Sequence, residues 1–242
     1  TCSNCGVPQI RINGLEGQYT QILMDSRPIF SSLASVYGLE QLPAGMVDRI
    51  EVIRGGGSAL YGANAIAGVV NIITKEPTRN FFNVSNSSAF TEKGTYDINT
   101  NLNASVVSEN QKAGIYLFGV QRNRQQYDRD DDGFSDIPHL NSTTAGFRSF
   151  FKTSEYSKLT AEYHHTTEYR RGGYGIDSLQ PHESPLCEQL RHNIDAATAK
   201  WDMYTADSRH FISAYTSFQH IGRDSYFGTN MNPNAYGKST DI

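Results

Sequence analysis

A short acidic segment carries the residues with the clearest potential for chemistry. From Asp128 to Asp136 it reads Asp-Arg-Asp-Asp-Asp-Gly-Phe-Ser-Asp, which puts carboxylates at positions 1, 3, 5 and 9 and glycine at position 6 of a calcium loop. The candidate ligands are Asp128, Asp130, Asp132, Phe134 and Asp136. Position 12 is His139 instead of the usual glutamate, so water or another loop must complete the shell. Crowded carboxylates repel one another, and we therefore expect a structural Ca²⁺ here in preference to a solvated acidic loop.

Histidine and cysteine offer weaker sites. His164 and His165 are neighbours, and side chains of neighbouring strand residues point to opposite faces, so the two cannot chelate one metal together. A single histidine inside a barrel could still bind haem iron. His182 lacks the second histidine of the zinc-protease pattern. Cys2 and Cys5 lack two further ligands at zinc-finger spacing. A local disulfide between them is the expectation if the chain lies in an oxidising periplasm, the location that the resemblance given below implies.

Composition excludes several classes of protein. The 242 residues carry a net charge of −4, so there is no basic excess to attract nucleic acid. No stretch of eighteen apolar residues is present, which excludes a membrane-spanning helix. The sequence also has no convincing nucleophile and base pair, so we expect no enzyme activity.

The elements that position these residues change in character near residue 78. Before it, short apolar runs alternate with glycine and predict a small α+β unit with buried strands at 21–25, 49–54 and 68–75 and a short helix after Ser58. After it, long polar–apolar alternations predict seven strands, at about 81–92, 95–108, 112–125, 140–153, 157–170, 189–204 and 208–222. Short and long connections then alternate, as they do in outer-membrane β-barrels.

The first unit resembles a known family. Three blocks carry the likeness, namely residues 21–30, 47–62 and 68–74, and the second contains Val-Asp-Arg-Ile-Glu-Val-Ile-Arg-Gly-Gly-Gly-Ser. In this order and spacing they resemble the plug domain of TonB-dependent outer-membrane receptors. The resemblance is close over residues 8–78. Over residues 79–242 it is limited to the alternating polar–apolar pattern that barrel strands share.

The resemblance implies a fold and a cellular location. We expect residues 1–78 to be the C-terminal part of a plug and residues 79–242 to be the first strands of an antiparallel transmembrane β-barrel. Receptors of this class have roughly 22 strands, so the chain looks like a fragment of a larger barrel in the bacterial outer membrane. The energy-coupling box and the first half of the plug are expected upstream.

The resemblance also implies ligands and partners. Apical plug loops and lumen-facing residues would bind the nutrient. The candidates are Ser26, Arg27, Ser35, Val36, Tyr37, Tyr169, Arg170, Arg171 and Tyr174. For the last four, the alternative is a place in the aromatic girdle or the lipopolysaccharide-facing rim. Energy would come from the TonB–ExbB–ExbD complex, and a surface lipoprotein is a further candidate partner. The calcium-type loop and a likeness to vitamin B12 receptors favour cobalamin, followed by haem and then a ferric siderophore. A passive adhesin barrel is the alternative from another class.

Overall fold

The structure is a computed structural model, and it describes residues 10–15, 17–28, 44–57, 61, 65–207 and 209–241. The chain divides into two compact units, Thr1–Lys75 and Glu76–Ile242. The sequence-based boundary lies close by, after Thr78.

The first unit contains a four-stranded mixed sheet. Its strands are β1 (Thr20–Met24), β2 (Arg27–Pro28), β3 (Val47–Arg54) and β4 (Gly68–Thr74), in the order β2-β1-β4-β3. Strand β4 runs parallel to β1 and antiparallel to β3. Two apolar clusters share β4, one through Val70 and Ile72 and the other through Val69. Because both faces of β4 are buried, its sequence is mostly apolar instead of alternating, and the one polar side chain in its interior, Asn71, is hydrogen-bonded.

The glycine run after β3 turns the chain where a side chain would not fit. Gly55 adopts φ +98°, a backbone conformation that other residues rarely adopt. A Cβ atom at Gly57 would lie 2.8 Å from Val69 Cγ2. The backbone N–H groups of Gly55 and Gly57 donate to the carbonyls of Ala67 and Ala65, which attaches the turn to the start of β4.

The second unit is an antiparallel meander of eight strands. In sheet order these are β5 (Phe81–Phe90), β6 (Tyr96–Val107), β7 (Ala113–Arg124), β8 (His139–Ser154), β9 (Ser157–Gly173), β10 (Leu186–Tyr204), β11 (Phe211–Thr229) and β12 (Tyr236–Asp241). The longest have 19 residues. Among the described residues, no helix is both long and apolar enough to cross a membrane.

The predicted fold class is confirmed, and all seven predicted barrel strands are present. Several details differ from the sequence-based prediction. The strand predicted at 49–54 was expected to be buried, but Ile50, Val52 and Ile53 of β3 are exposed. The short helix predicted after Ser58 falls almost entirely outside the described residues. Strand β11 continues to Thr229 instead of ending near residue 222, and β12 was not predicted at all.

Connections at the two ends of the strands differ in length. At one end the chain reverses within a few residues, as at Glu155 and Tyr156 between β8 and β9. At the other end, residues 125–138 and 174–185 form the long connections. Short 3₁₀ helices complete the elements, at Gly17–Tyr19, Ala44–Met46 and Pro181–Glu183.

Candidate functional site

The two faces of the large sheet have opposite chemistry. On β9 the even-numbered residues include Glu162, Thr166 and Arg170, which are all buried. The odd-numbered residues include Leu159 and Tyr163, which are exposed. We call these the polar face and the apolar face of the sheet. A transmembrane barrel turns its apolar face to lipid and its polar face to the lumen.

The pairing register extends both faces across the sheet, because directly opposed residues share a face. On the apolar face one row contains Leu117, Phe147, Tyr163, Ala197 and Phe218. The next row contains Gly119, Ala145, His165, Asp195 and His220. We call the second of these the boundary row, since apolar side chains predominate on one side of it and polar side chains on the other.

The polar face carries an excess of positive charge near the long connections. One row contains Arg124, Leu140, Arg170, Leu190 and Ser225. The adjacent row contains Arg122, Ser142, Glu168, His192 and Arg223. We call these two rows the basic rows. The basic rows contain four guanidinium groups and the carboxylate of Glu168. A second carboxylate, that of Asp97 on β6, lies directly opposite Arg124.

Contacts within the basic rows hold several of these side chains in place. Arg122 donates to both oxygens of Asp97, at 2.9 and 2.7 Å, in the bidentate geometry that favours arginine. Arg124 Nε donates to the carbonyl of Pro138 at 3.1 Å. Arg170 Nε lies 3.6 Å from Glu168 Oε1, and both side chains are buried. These contacts hold Arg122, Arg124 and Arg170 in place on the polar face.

The structure separates three consecutive candidates that were expected to line the lumen. Arg170 lies on the polar face, whereas Tyr169 and Arg171 lie on the apolar face, because consecutive strand residues alternate. The expectation is therefore corrected for Tyr169 and Arg171. Tyr169 donates to Gln189 Oε1 at 3.0 Å and lies under the guanidinium of Arg191. Arg171 donates to the carbonyl of Leu179 in the following loop.

Tyr174 joins the two long loops. It forms a β-bridge with Phe134, and the two rings lie 5.0 Å apart. Gly175 N–H donates to the carbonyl of Gly133 at 3.0 Å, and Gln126 donates to Asp177. The loops 125–138 and 174–185 are thus connected by backbone and side-chain contacts.

In the first unit, only some of the predicted ligand-binding residues can be placed. Ser26 adopts φ +66°, and its N–H donates to Asn71 Oδ1 at 2.8 Å. Asn71 Nδ2 donates in turn to Ser26 Oγ and to Glu51 Oε2. Arg27 begins β2. The remaining predicted residues of this unit lie outside the described ranges, namely Ser35, Val36, Tyr37, Cys2 and Cys5.

The acidic segment brings part of its predicted ligand set together. One ligand atom each from Asp128, Asp130 and Asp136 lies within 4.8 Å of the others. Asp132 is not part of this group, and its Oδ1 accepts from the N–H of Phe134 at 2.8 Å. Three of the five predicted metal ligands therefore converge, and oxygen is the donor that Ca²⁺ prefers.

Hydrogen bonds set the charge state of this segment. Partial desolvation raises the pKa of Asp128, but the N–H groups of Gly133 and Asp131 donate to its oxygens and hold that pKa below its ordinary value. Lys93 lies in the preceding loop and donates to Asp131 Oδ1 at 2.6 Å and to the carbonyl of Asp128 at 2.8 Å. The hydrogen bond to Asp131 raises the pKa of Lys93. Both groups are therefore charged at neutral pH.

The histidine pair divides between the faces, as strand alternation requires. His164 lies on the polar face and His165 on the apolar face. His182 lies in the loop before β10, with Nδ1 3.0 Å from the hydroxyl of Tyr236.

Sequence reasoning missed most of the basic rows. Arg122, Arg124, His192 and Arg223 were not among the predicted site residues. For Arg122 and Arg124 the available signal was their position on β7, an even number of residues after Tyr116 and Phe118, which are buried and so share a face with them. Pairing register was also needed, and it cannot be read from one sequence.

Comparison with known proteins places these features in context. Residues 1–69 match the family model described as the TonB-dependent receptor plug domain. The ferric enterobactin receptor PirA of Pseudomonas aeruginosa is 42% identical over 80 residues, which cover 29% of this chain and 11% of that receptor. The vitamin B12 transporter BtuB of Vibrio vulnificus is 41% identical over 63 residues, covering 26% of this chain and 10% of that transporter.

Solved structures extend the likeness over the second unit. A mutant of the ferric enterobactin receptor PfeA from Pseudomonas aeruginosa, in complex with enterobactin, matches with a TM-score of 0.73 at 19% identity. The match covers 98% of this chain and 40% of that one. The siderophore receptor PiuA from Acinetobacter baumannii matches with a TM-score of 0.61 at 13% identity, covering 92% of this chain and 32% of that one. At these identities the structural matches establish the fold, and the chain spans less than half of each solved receptor.

Proposed function

The chain belongs to the TonB-dependent outer-membrane receptors, and from this premise we propose that the whole protein imports a ferric siderophore. The proposed energy source is the TonB–ExbB–ExbD complex, which would act on the plug from the periplasmic side. The cycle makes and breaks no covalent bond. It requires the ligand to bind two plug states with different affinity, since only differential binding can shift a conformational equilibrium.

The observation that carries the proposal is the positive charge of the basic rows. Within these two rows the guanidinium groups of Arg122, Arg124, Arg170 and Arg223 outnumber the carboxylates, which are those of Asp97 and Glu168. Glu188 and Asp241 lie on the same face in the adjoining rows. A tris-catecholate complex of Fe³⁺ is an anion, and a cleft lined by charge of one sign concentrates ligands of the opposite sign. Guanidinium groups also suit the oxygen-rich surface of such a complex.

This charge pattern favours a siderophore over cobalamin, the ligand favoured by the sequence alone. Cyanocobalamin has no net charge and gains little from an excess of guanidinium groups. The similarity to ferric enterobactin receptors supports the same choice, although a B12 transporter is also among the relatives. Haem is the remaining alternative, favoured by the placement of His164 on the polar face.

Ligand titration of the full-length receptor tests the proposal. We expect tight binding of ferric enterobactin and at least tenfold weaker binding of cyanocobalamin and haemin. Arg223→Gln removes a charged hydrogen-bond donor and should weaken siderophore binding by roughly 10- to 100-fold, the equivalent of about 1.5–3 kcal/mol. The matched control is Arg191→Gln on the apolar face. Tighter binding of cyanocobalamin, or equal effects of the two substitutions, would refute the proposal.

We also propose that the acidic segment binds Ca²⁺ and orders the loop 125–138. Asp128, Asp130 and Asp136 would supply protein oxygens, and water would complete the shell. Calorimetry on the full-length receptor should detect Ca²⁺ binding that Asp130→Asn abolishes. Asp207→Asn, in a short turn at the opposite end of the strands, is the control. Unchanged Ca²⁺ binding in Asp130→Asn would refute this assignment.

A further inference from the structure

The basic rows contain a side chain whose charge can change near neutral pH. It is His192 on β10, which the register pairs directly with Glu168 on β9 and with Arg223 on β11. Histidine is the side chain that ordinarily gains or loses its charge between pH 5 and 8. The total charge of the basic rows therefore depends on whether the imidazole of His192 carries one proton or two.

Burial strengthens the effect of this charge on its neighbours. The side chains of His192 and Glu168 are 0% and 1% exposed, and His192 Nδ1 lies 3.7 Å from Glu168 Oε1. The same carboxylate oxygen lies 3.6 Å from Nε of Arg170, whose side chain is 2% exposed. Charges removed from water interact more strongly and are screened less by salt. One carboxylate oxygen thus lies beside a permanent cation and beside a group that becomes a cation on protonation.

The charged side chains around His192 act on its protonation in opposite directions. Glu168 favours the imidazolium, whereas Arg170 on β9 and Arg223 on β11 disfavour it. Glu188 shares the polar face of β10 with His192 but lies about 13 Å along the strand. An anion bound over the basic rows adds negative charge and favours the imidazolium. Because such coupling is reciprocal, proton binding must also favour the anion.

We propose that His192 links ligand affinity to pH, so that binding of an anionic ferric siderophore draws a proton onto its imidazole. This inference rests on the proposed function, since it takes the basic rows as the ligand site. A neutral imidazole carries one N–H, and its other nitrogen takes the second proton from the buffer. The imidazolium then partly neutralises Glu168, so the positive charge of Arg170 is less compensated. Affinity for the anion rises as pH falls.

Calorimetric titration of the full-length receptor with ferric enterobactin tests this link. Repeating the titration in buffers of different ionisation enthalpy counts the protons that are taken up. We expect roughly 0.3–1 proton per ligand near neutral pH, and at least about threefold tighter binding at pH 6 than at pH 8. His192→Gln, which cannot ionise, should abolish both effects. Glu168→Gln should reduce the proton uptake, because it removes the carboxylate that stabilises the imidazolium.

The matched control is His165→Gln on the apolar face, which should leave the proton uptake and the pH profile unchanged. The inference is overturned if the ligand binds without proton uptake or pH dependence, if His192→Gln retains both, or if His165→Gln loses them equally. Absence of ferric enterobactin binding at every pH would overturn the proposed function and this inference with it. Circular dichroism of each variant in the same detergent confirms that the barrel is folded before affinities are compared.

Discussion

At the scale of single residues, Asp128 organises the acidic segment. Its Oδ1 accepts from the N–H of Asp131 at 2.8 Å and its Oδ2 from the N–H of Gly133 at 2.9 Å. Both acceptors are strongest when the carboxylate is ionised. Asp131 adopts φ +61°, a conformation that residues other than glycine rarely adopt, and the hydrogen bond from its N–H helps to hold it. Gly133, at φ +88°, adopts its conformation without strain.

The lowered pKa of Asp128 predicts acid-sensitive order in this loop. A group whose pKa is depressed on folding stabilises the folded form above its ordinary pKa, and that stabilisation is lost as pH falls through the folded pKa. We expect amide hydrogen-exchange protection at Asp131 and Gly133, corrected for intrinsic rates, to persist at neutral pH and to be lost below about pH 4. Asp128→Asn should abolish this pH dependence. An unchanged pH profile in the variant would contradict the assignment.

Sequence reasoning reached some of these residues and missed others for a physical reason. The acidic segment is local in sequence, so its spacing alone brought Asp128, Asp130 and Asp136 into the predicted metal site. The basic rows are assembled from separate strands, and Arg124 and Arg223 share a face with Arg170 only because of the pairing register. Local patterns predict local sites, whereas sites built across a sheet require the register.

At the scale of secondary-structure elements, paired charges connect neighbouring strands along the polar face. Arg148 on β8 lies directly opposite Glu162 on β9, with Nη1 3.0 Å from Oε2. The side chains are only 11% and 6% exposed. Arg148 also lies 3.7 Å from Glu76, which accepts a hydrogen bond from Lys158 at 2.9 Å. Removing one member leaves a buried charge poorly compensated.

This arrangement predicts strong coupling between Arg148 and Glu162. Glu162→Gln should lower the free energy of unfolding of the full-length receptor by about 3 kcal/mol. The double variant Arg148→Gln with Glu162→Gln should cost less than the sum of the single variants, by about 1–3 kcal/mol. Denaturant titration in lipid vesicles measures both. The exposed pair of Arg209 and Asp207 is the comparison, where Arg209→Gln should cost under about 1 kcal/mol. Additive effects at 148 and 162 would exclude the coupling.

The C-terminal strands show where a prediction from polar–apolar alternation stops short of the observed strand ends. The predicted end of β11 near residue 222 coincides with the start of the polar run Gly-Arg-Asp-Ser, yet the hydrogen-bonded strand continues through Tyr226 and Phe227 to Thr229. Strand β12 has the polar sequence Tyr-Gly-Lys-Ser-Thr-Asp and was missed for the same reason. Polar–apolar alternation along a strand marks the part that has one face toward lipid and the other toward the barrel interior. Backbone hydrogen bonding continues beyond that part, so the strands are longer than the alternating pattern.

At the scale of the whole molecule, the apolar face divides into a lipid-facing region and a polar region separated by the boundary row. Ala161 on β9 lies below that row, between Leu159 and Tyr163. Thr167 lies one row above it, opposite Thr143 and Asn193. The two positions share a face and a strand, so they differ mainly in their depth in the membrane.

Depth-dependent substitution tests this assignment. Ala161→Arg should lower the free energy of unfolding in lipid vesicles by about 2–4 kcal/mol, because a charge is placed in hydrocarbon. Thr167→Arg on the same strand should cost about 0–1 kcal/mol, the value near an interface. Reversible denaturation of the full-length receptor provides the measurement. Equal costs at the two positions would mean that the boundary lies elsewhere.

The links among the external loops constrain how receptors of this type can diversify. Lys93 contacts the acidic segment, Phe134 bridges to Tyr174, and Asn230 N–H donates to the carbonyl of Pro185. A receptor evades recognition by phage or antibodies most readily when a change in one exposed segment does not require a change in another. Here a replacement at Lys93 removes its hydrogen bonds to Asp131 and to the carbonyl of Asp128, and a replacement at Phe134 removes the ring partner of Tyr174. Natural variants of this surface should therefore carry compensating changes in pairs, at positions distant in sequence.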